Sequence, residues 1–407
     1  MKLRVFEIVL TNNEAVYFSG QTLQGHVILE LEKSVKVNEI RLVFHGKAFV
    51  HWTEQSMRGP GEIRLKEIRH HSATEDYFEV SQPLLSKGKN QQDEKRILEP
   101  GQYTYPFQFQ IPVTSPSSFE GHYGFIRYWV KVTIERPWKN NVSVKKLFTV
   151  ICPVDLNREP TASLPTQKKK VKRLCCLCCT SGPITAELRL SHKGYVPGET
   201  IFVNAEISNL SRRKVGSTSV ELLMTTTFHT PIKSRSVTQQ VATLHHGTLT
   251  SGKSDSWDGD RLVLPPLPPS YIIGCSIMDI KYTLELRVFP VGPAFELAVP
   301  LEILIGTVPL TSTVEQYLTM HQMTPPTPRG VRCAVGLRGA SAALADDDYR
   351  PSFLTPTFSK SPMCHFHLHN DEDDHLMITE TDYSPCYAIY NFQTVPPRRH
   401  QTVRFAT

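Results

Sequence analysis

The densest group of reactive side chains in the sequence is the run Cys175-Cys176-Leu177-Cys178-Cys179. It contains two overlapping C-x-x-C pairs, the spacing at which thiolates chelate zinc or form a redox-active dithiol. Structural zinc requires four ligands, and no further C-x-x-C or histidine pair follows at zinc-finger spacing. A redox or metal sensor built on these cysteines is therefore one alternative, and cysteines that begin a buried strand are a second.

A basic run directly precedes these cysteines and supports a third interpretation. Anionic lipid attracts each basic residue near its surface by about 1 kcal/mol, and thiols held there are sites of S-acylation. We predict that the run contacts a membrane surface or an acidic partner, with S-acylation at the four cysteines. The cations are Lys168, Lys169, Lys170, Lys172 and Arg173.

A second group with metal-binding chemistry lies nearer the C-terminus, where imidazoles alternate along the chain. Alternate histidines can bind a transition metal, but ordering a polar segment around the metal costs conformational entropy. A solvated polar stretch is the favoured interpretation, so we predict neither a metal nor a cofactor. The residues of this group are Cys364, His365, His367, His369 and His375.

Loops that carry out catalysis are not recognisable in the sequence. The phosphate-binding patterns G-x-G-x-x-G and G-x-x-x-x-G-K-[ST] do not occur, and the nucleophile elbow G-x-S-x-G is missing as well. Basic residues and aromatics form neither an RNP-like nor a helical recognition pattern. The sequence therefore predicts a protein that is not an enzyme and does not bind nucleic acid.

The composition is that of an ordinary soluble protein, with 407 residues of which 40% are hydrophobic and 21% charged. No window approaches the roughly 18 apolar residues needed to span a bilayer. The first residues lack the charged and apolar regions of a signal peptide, and most cysteines lack paired spacing, which indicates a reducing compartment. Residues 311–407 carry 8 Lys and Arg against 10 Asp and Glu, so the preceding residues hold a charge of +8 out of a total of +6.

Short segments with alternating apolar and polar residues fill the first 310 positions. This alternation and the many β-branched residues are typical of half-buried antiparallel strands, and no comparable stretch has a helical period. The polar residues 55–100 are predicted to be long excursions between strands. The predicted strands are 3–10, 23–32, 39–52, 103–111, 126–135, 184–191, 200–209, 220–228, 237–244, 277–288 and 295–306.

Two motifs recur in the same order in both halves of this region. Tyr17-Phe18-Ser19-Gly20 and Tyr195-Val196-Pro197-Gly198 each place a glycine three residues after a tyrosine, where a tight turn needs a residue that tolerates positive φ. Further on, Ile126-Arg127-Tyr128 corresponds to Ile280-Lys281-Tyr282. Two matches in the same order predict tandem copies of one β-sandwich.

The predicted fold class is all-β, with two tandem immunoglobulin-like antiparallel β-sandwiches and a largely disordered C-terminal tail. Residues 1–155 form the first sandwich, 156–182 a basic, cysteine-containing linker, 183–310 the second sandwich and 311–407 the tail.

Aromatic residues receive different assignments in the sandwiches and in the tail. Those of the sandwiches, Phe119, Tyr128, Trp129, Tyr195 and Tyr282, are assigned to the core and the turns. Those of the tail are either docking motifs that order on binding or solvated side chains; they include Tyr349, Phe353, Tyr383, Tyr387 and Tyr390.

Several of these motifs together resemble one family, the α-arrestins or arrestin domain-containing proteins. The resemblance covers about residues 1–310 and implies two sandwiches side by side. The matching segments are Ser118-Phe119-Glu120-Gly121, Gly124-Phe125-Ile126-Arg127-Tyr128, Arg136-Pro137-Trp138, Lys193-Gly194-Tyr195-Val196-Pro197-Gly198-Glu199 and Asp279-Ile280-Lys281-Tyr282.

The resemblance also implies an adaptor that links membrane cargo to HECT-type ubiquitin ligases through P-P-x-Y motifs in the tail, which dock on WW domains. Here the tail departs from the family, because neither Pro325-Pro326-Thr327-Pro328 nor Pro396-Pro397-Arg398-Arg399 has the tyrosine. The literal match Pro268-Pro269-Ser270-Tyr271 lies in the second sandwich and is predicted to be a structural connection. A related branch resembles thioredoxin-interacting protein, in which a cysteine three residues before a tryptophan bonds thioredoxin; Ser254 before Trp257 excludes that disulfide here.

We therefore expect an intracellular adaptor that binds cytoplasmic parts of membrane receptors or transporters and promotes their endocytosis, ubiquitylation or sorting. It would lie in the cytoplasm, peripherally at the plasma membrane and endosomes, and contact anionic lipid. A HECT-type ligase would be recruited indirectly or by a motif other than a tail P-P-x-Y. The alternatives are a scaffold or competitor without ligase coupling and the redox or metal sensor described above.

Overall fold

A computed structural model describes residues 3–58, 65–85, 96–176, 179–292, 295–322, 355–363, 376–378 and 383–392. Strands dominate these residues and form two β-sandwiches, which confirms the predicted all-β class. Within the same residues, no helix has the length and apolar character needed to cross a membrane.

The strands of the first sandwich are β1 (Leu3–Leu10), β2 (Val16–Phe18), β3 (Thr22–Leu31), β4 (Val35–Val37), β5 (Glu39–Arg58), β6 (Leu65–Leu85), β7 (Arg96–Leu98), β8 (Gly101–Gln110), β9 (Phe119–Gly121), β10 (Gly124–Glu135) and β11 (Val142–Ile151). One sheet has the order β1-β3-β8, and the facing sheet has the order β2-β11-β10-β5-β6. Alternate side chains of β3 and β10 fill the space between the sheets, where Leu23 and Tyr128 are fully buried. Burial of each such side chain contributes about 1.5–3 kcal/mol.

The strands of the second sandwich are β12 (Thr166–Cys176), β13 (Cys179–Leu190), β14 (Gly194–Tyr195), β15 (Thr200–Asn209), β16 (Val215–His229), β17 (Ser234–His246), β18 (Lys253–Val263), β19 (Met278–Pro290) and β20 (Leu297–Ile305). Its sheets have the orders β12-β13-β15-β18 and β14-β20-β19-β16-β17. A 3-10 turn, Leu156–Arg158, lies in the connection between the sandwiches.

The two sandwiches repeat one another in detail, as the recurring motifs predict. Gly20 and Gly198 both have positive φ, 84° and 90°. The buried hydroxyl of Tyr128 donates to the Pro116 carbonyl at 2.8 Å, and that of Tyr282 donates to the Pro268 carbonyl at 2.7 Å. Because equivalent tyrosines anchor equivalent turns, the sandwiches are copies of one unit.

The polar residues 55–100 differ from the prediction. β5 continues to Arg58 and pairs antiparallel with β6, from Ile40 opposite Leu85 to Arg58 opposite Leu65. Most described β6 side chains are exposed or half-buried, so backbone pairing defines this hairpin and the apolar alternation is weak.

The prediction of a linker over 156–182 is wrong for residues 166–176, which form β12 and pair with β13. The connection before β12 is also ordered. Leu156 and Ala162 are buried there, and the Ala162 carbonyl accepts from the Gly194 amide at 2.8 Å. Lysines suit β12 because it lies at the edge of its sheet, where charged side chains hinder pairing with another chain.

The predicted disordered tail contains ordered segments. The helix α1 (Thr311–Gln322) begins where the Asn157 carboxamide oxygen accepts from the Thr311 amide and hydroxyl, at 2.8 and 2.9 Å. Three short strands follow, β21 (Thr357–Lys360), β22 (Leu376–Ile378) and β23 (Cys386–Ile389). Tyr349 and Phe353, and the rest of the predicted disorder, lie outside the described residues.

Polar contacts fix the two sandwiches against each other. The Glu75 carboxylate accepts from the Ser276 amide at 3.1 Å and from its hydroxyl, and Lys233 lies 2.7 Å from the Glu54 carboxylate. At Gly274, with φ of 92°, a Cβ would clash with the Thr114 carbonyl oxygen of the first sandwich. The glycine therefore permits the close approach of the two domains.

Candidate interaction surfaces

The basic run does not form a single patch on β12. Lys168, Lys170 and Lys172 stand opposite Leu188, Ala186 and Ile184 of β13, whereas Lys169 stands opposite Glu187. Since successive side chains of a strand point to opposite faces, the cations are divided between the two sides of the sheet. Lys169 lies 3.7 Å from the Glu187 carboxylate, which neutralises part of the outer side.

Lys172 ties the end of β12 to the loop between β19 and β20. Its ammonium donates to the carbonyls of Phe295 and Glu296 at 2.6 and 3.1 Å. The Phe295 side chain beside it is 88% exposed. Exposed aromatic and cationic groups therefore lie together at this end of the second sandwich, which suits a lipid headgroup region.

Cys178 lies outside the described residues, as do the side chains of Cys175, Cys176 and Cys179 and the residues 364–375 of the histidine group. Among the side chains that the structure describes, no group of three or more His, Cys, Asp or Glu is placed to hold a metal ion. S-acylation and the redox or metal sensor stay predictions.

The described thiols of Cys152, Cys275 and Cys386 are free. Burial raises the pKa of the Cys275 thiol to about 11, so it is protonated at neutral pH and a poor nucleophile. Ser254 is exposed on β18, three residues before the buried Trp257.

Pro268-Pro269-Ser270-Tyr271 is a structural connection, as predicted. The Ser270 amide donates to the Ile305 carbonyl at 2.8 Å and its hydroxyl accepts from the Ile305 amide at 2.9 Å. Tyr271 has a positive φ of 53°, which is incompatible with polyproline II geometry. A WW domain could bind this segment only after the segment left the sandwich.

Cations and aromatic rings cover the outer face of β5, β10 and β11. The Lys145 ammonium lies 4.1 Å from the centre of the Trp129 ring, and the Lys47 ammonium lies 5.7–6.0 Å from the rings of Trp129, Phe49 and Phe125. Contacts of this kind contribute about 0.5–1 kcal/mol at exposed sites. We call Lys47, Phe49, Phe125, Trp129 and Lys145 the cationic face; an acidic or aromatic peptide would complement it.

A buried ion pair lies beside the cationic face. The Arg127 guanidinium donates to both oxygens of Glu120 at 2.6 and 2.9 Å, and both side chains are at least nine-tenths buried as residues. Burial raises the pKa of the Glu120 carboxyl, and the guanidinium opposes that shift. The ion pair links β9 to β10.

The tail packs its tyrosines on both sandwiches, which the sequence did not predict. Tyr383 forms a buried cluster with Trp129 and Leu147, so Trp129 belongs to this cluster and not to the main core. Tyr387 is 1% exposed and enters the main core. Tyr390 packs with Leu156, Ala162, Val196, Leu304 and Leu310 in the connection between the domains.

The tail also extends a sheet of the first sandwich. β22 runs parallel to β11, with Leu376 opposite Ser143 and Ile378 opposite Lys145. This register places an extended segment along the strand that carries one cation of the cationic face. The only indication of this docking in the sequence was the presence of several aromatic residues in a tail otherwise poor in apolar residues.

Family models match both sandwiches. The model of the arrestin (or S-antigen) N-terminal domain matches residues 6–157, and that of the C-terminal domain matches residues 180–310. The chain belongs to the α-arrestin family. The resemblance stated from the sequence motifs is therefore confirmed, and the two copies are the arrestin N- and C-terminal domains.

Curated relatives of this α-arrestin match 70–77% of its length. It is 34% identical over 325 residues to arrestin domain-containing protein 17 of Caenorhabditis elegans, covering 77% of this chain and 72% of the relative. Identity to human arrestin domain-containing protein 4 is 34% over 297 residues, or 72% and 68% of the two chains. Identity to human thioredoxin-interacting protein is 30% over 290 residues, or 70% of each chain.

Proposed function

We propose that this α-arrestin is a non-enzymatic adaptor that binds cytoplasmic segments of membrane receptors or transporters and promotes their endocytosis, ubiquitylation or sorting. The observation that carries the proposal is the pairing of β22 with β11, because it demonstrates a sandwich edge that accepts an extended segment. Strand addition is a general mode of peptide recognition in which main-chain hydrogen bonds supply affinity. The cationic face beside this edge favours acidic segments.

The adaptor would act in the cytoplasm, peripherally at the plasma membrane and endosomes. Support for membrane contact comes from the exposed lysines of β12 and from Phe295 at the end of the second sandwich. Two such signals together attach a protein reversibly to anionic lipid.

The proposal includes coupling of the bound membrane protein to a HECT-type ubiquitin ligase. Because Pro268-Pro269-Ser270-Tyr271 is held in the second sandwich, a ligase would be recruited indirectly or through another motif. The same observation favours a second candidate function, a scaffold or competitor that binds cargo without ligase coupling.

The test is co-purification of the tagged full chain from cells under mild detergent, with quantification of membrane proteins and ligases. We expect membrane proteins to be enriched over tag alone, and their recovery to fall at least several-fold for Lys47→Glu. The matched control is Lys281→Glu, an exposed lysine of β19 outside the cationic face.

Recovery of a HECT-type ligase with the membrane proteins, and ubiquitylation of those proteins when the purified chain is added, would support the adaptor. Membrane proteins without any ligase would establish the scaffold instead. If tag alone and the full chain recover the same membrane proteins, cargo binding is refuted.

A further inference from the structure

Residues 383–392 contact the domains without pairing with a strand of either sandwich. β23 pairs with β21 of the tail itself, with Phe358 opposite Ala388. The tyrosines Tyr383, Tyr387 and Tyr390 make the buried contacts with the domains, at a spacing of Tyr-x-x-x-Tyr-x-x-Tyr. We call the surface that receives them the tyrosine cradle; it comprises Ser118, Phe148, Thr149, Leu156, Pro197, Gly198 and Thr307.

Each tyrosine hydroxyl of this segment donates to a main-chain carbonyl of the cradle. Tyr383 donates to Phe148 at 3.2 Å, Tyr387 donates to Ser118 at 3.0 Å, and Tyr390 donates to Thr307 at 2.7 Å. A phenylalanine would fill the same volume but leave a buried carbonyl without its donor, which is costly. The cradle therefore distinguishes tyrosine from phenylalanine at three positions.

Main-chain contacts fix the path of the segment between the two domains. The Cys386 amide donates to the Thr149 hydroxyl at 3.3 Å, and the Tyr390 amide donates to the Pro197 carbonyl at 2.9 Å. A Cβ at Gly198 would overlap the Tyr390 carbonyl oxygen, so the glycine permits this approach. Ala388 of the segment is buried as well, and Phe392 packs against the same cluster as Tyr390. A competing peptide therefore needs tyrosines at this spacing and a small residue directly after the second tyrosine.

We propose that the tyrosine cradle is a peptide-binding site, occupied here by the chain's own tail, that also receives a partner's extended segment with tyrosines at the same spacing. This rests on the proposed function, since the partner segment would belong to a cytoplasmic part of a bound protein. The tail competes at the high effective concentration of an attached ligand. A partner segment therefore binds the tyrosine cradle when the tail's own contacts with the cradle are weakened.

The test uses a fluorescent synthetic peptide of residues 383–392 and the purified full chain, with binding measured by anisotropy. The receptor variant is the full chain with Tyr383→Phe, Tyr387→Phe and Tyr390→Phe, which keeps the packing volume and removes the three donors. Because a lost hydrogen bond changes binding by about tenfold, we expect the peptide to bind this variant at least about tenfold more tightly than the wild-type chain. A peptide with the same three changes should bind at least about tenfold more weakly than the tyrosine peptide.

The matched control is the full chain with Tyr103→Phe. The Tyr103 hydroxyl also donates to a main-chain carbonyl, that of Glu99 at 3.0 Å, but lies on β8 away from the cradle. This variant should bind the peptide as the wild-type chain does. Equal binding of the peptide to the triple variant and to wild type, or of the phenylalanine and tyrosine peptides to the triple variant, would overturn the proposal.

Hydrogen exchange of the wild-type chain provides a second measurement that needs no variant. An excess of unlabelled peptide should displace the tail and accelerate exchange at the Cys386 and Tyr390 amides. Unchanged exchange at saturating peptide would overturn the proposal. Neither measurement contains a membrane protein, so failure of the proposed cargo binding would be seen separately in the co-purification.

Discussion

At the scale of single residues, the buried ion pair of Glu120 and Arg127 in the first domain requires both of its partners. Its charges are almost wholly removed from water, and the two hydrogen bonds between them compensate for that desolvation. A buried pair contributes little in net stability, but removal of one partner leaves an uncompensated charge. The two residues stand in two of the segments that resemble the α-arrestins, yet their contact follows only from the pairing of β9 with β10.

We expect Arg127→Met to lower the free energy of unfolding by about 3–5 kcal/mol, because it leaves the Glu120 carboxylate buried alone. Adding Glu120→Gln to that variant should recover part of the loss, since no charge then remains buried. Urea unfolding followed by circular dichroism measures both. The exposed Arg261→Met is the control and should change stability by less than about 0.5 kcal/mol. A loss below 1 kcal/mol for Arg127→Met would contradict this account.

The stability of the docked tail at alkaline pH depends on the protonation of the Tyr390 hydroxyl. Burial raises the pKa of its hydroxyl from 10.0 to about 12. The docked tail therefore keeps its proton where the released tail loses it, so this contribution is fully present below pH 10 and is lost as the pH rises towards 12. The tyrosinate absorbance of wild type minus that of Tyr390→Phe should have its midpoint near 12. A midpoint near 10 would show that Tyr390 is solvated.

At the scale of elements, α1 shows how a segment can be ordered by residues distant in sequence. Its buried side chain Val314 faces the domains, and its first turn is capped by Asn157 of the interdomain connection. Asn157 also donates to the Pro309 carbonyl at 2.9 Å. Local propensity alone is weak in this polar sequence, so the helix depends on its cap and on packing.

Removal of that cap should loosen α1 selectively. Asn157→Ala is expected to cost about 1 kcal/mol of stability, because two donors at Thr311 lose their acceptor. Hydrogen exchange of α1 should accelerate several-fold while the core strands stay protected. The control is Asn204→Ala, a half-buried asparagine of β15 whose side chain donates to the Phe202 carbonyl at 3.4 Å. Unchanged exchange in α1 would contradict the capping role.

At the scale of the whole molecule, segments that are distant in sequence contact one another at the connection between the two domains. The connection between the domains, the start of α1 and the docked Tyr390 meet around Leu156 and Thr307. The lysines of β12 lie instead on an edge strand of the second sandwich, so the proposed membrane contact would use a different surface from the docked tail. On the two proposals, one molecule could therefore bind a membrane and a peptide at the same time.

Membrane binding should depend on the lysines of β12. With about 1 kcal/mol for each cation, Lys168→Ala with Lys170→Ala should lower partitioning onto phosphatidylserine vesicles by about thirtyfold. Raised ionic strength should weaken the binding of the wild-type chain in the same assay, because the attraction is screened. The control pair is Lys253→Ala with Lys281→Ala, exposed lysines of β18 and β19. Equal sedimentation of both variants with the vesicles would remove the membrane proposal.

The sequence predicted most of the long sandwich strands and their repeat, because both depend on local pattern. Alternation marked β3, β10 and β19, and the turns at Gly20 and Gly198 needed a residue with positive φ. It did not identify β6, β11, β12 or β18. The strands β6, β12 and β18 lie at sheet edges, where backbone pairing defines the strand and apolar periodicity is weak. Most side chains of β11 are buried, so apolar and polar residues do not alternate there.

The sequence by itself determined the all-β class, the two copies and the family, since strand alternation, turn glycines and the recurring tyrosine motifs are local features. Only the tertiary structure decided where the tail lies. Tyr383, Tyr387 and Tyr390 are bound by carbonyls at Phe148, Ser118 and Thr307, which are 83 to 269 residues away along the chain. Contacts between such distant positions arise from the packing of two finished domains, and no local pattern encodes them.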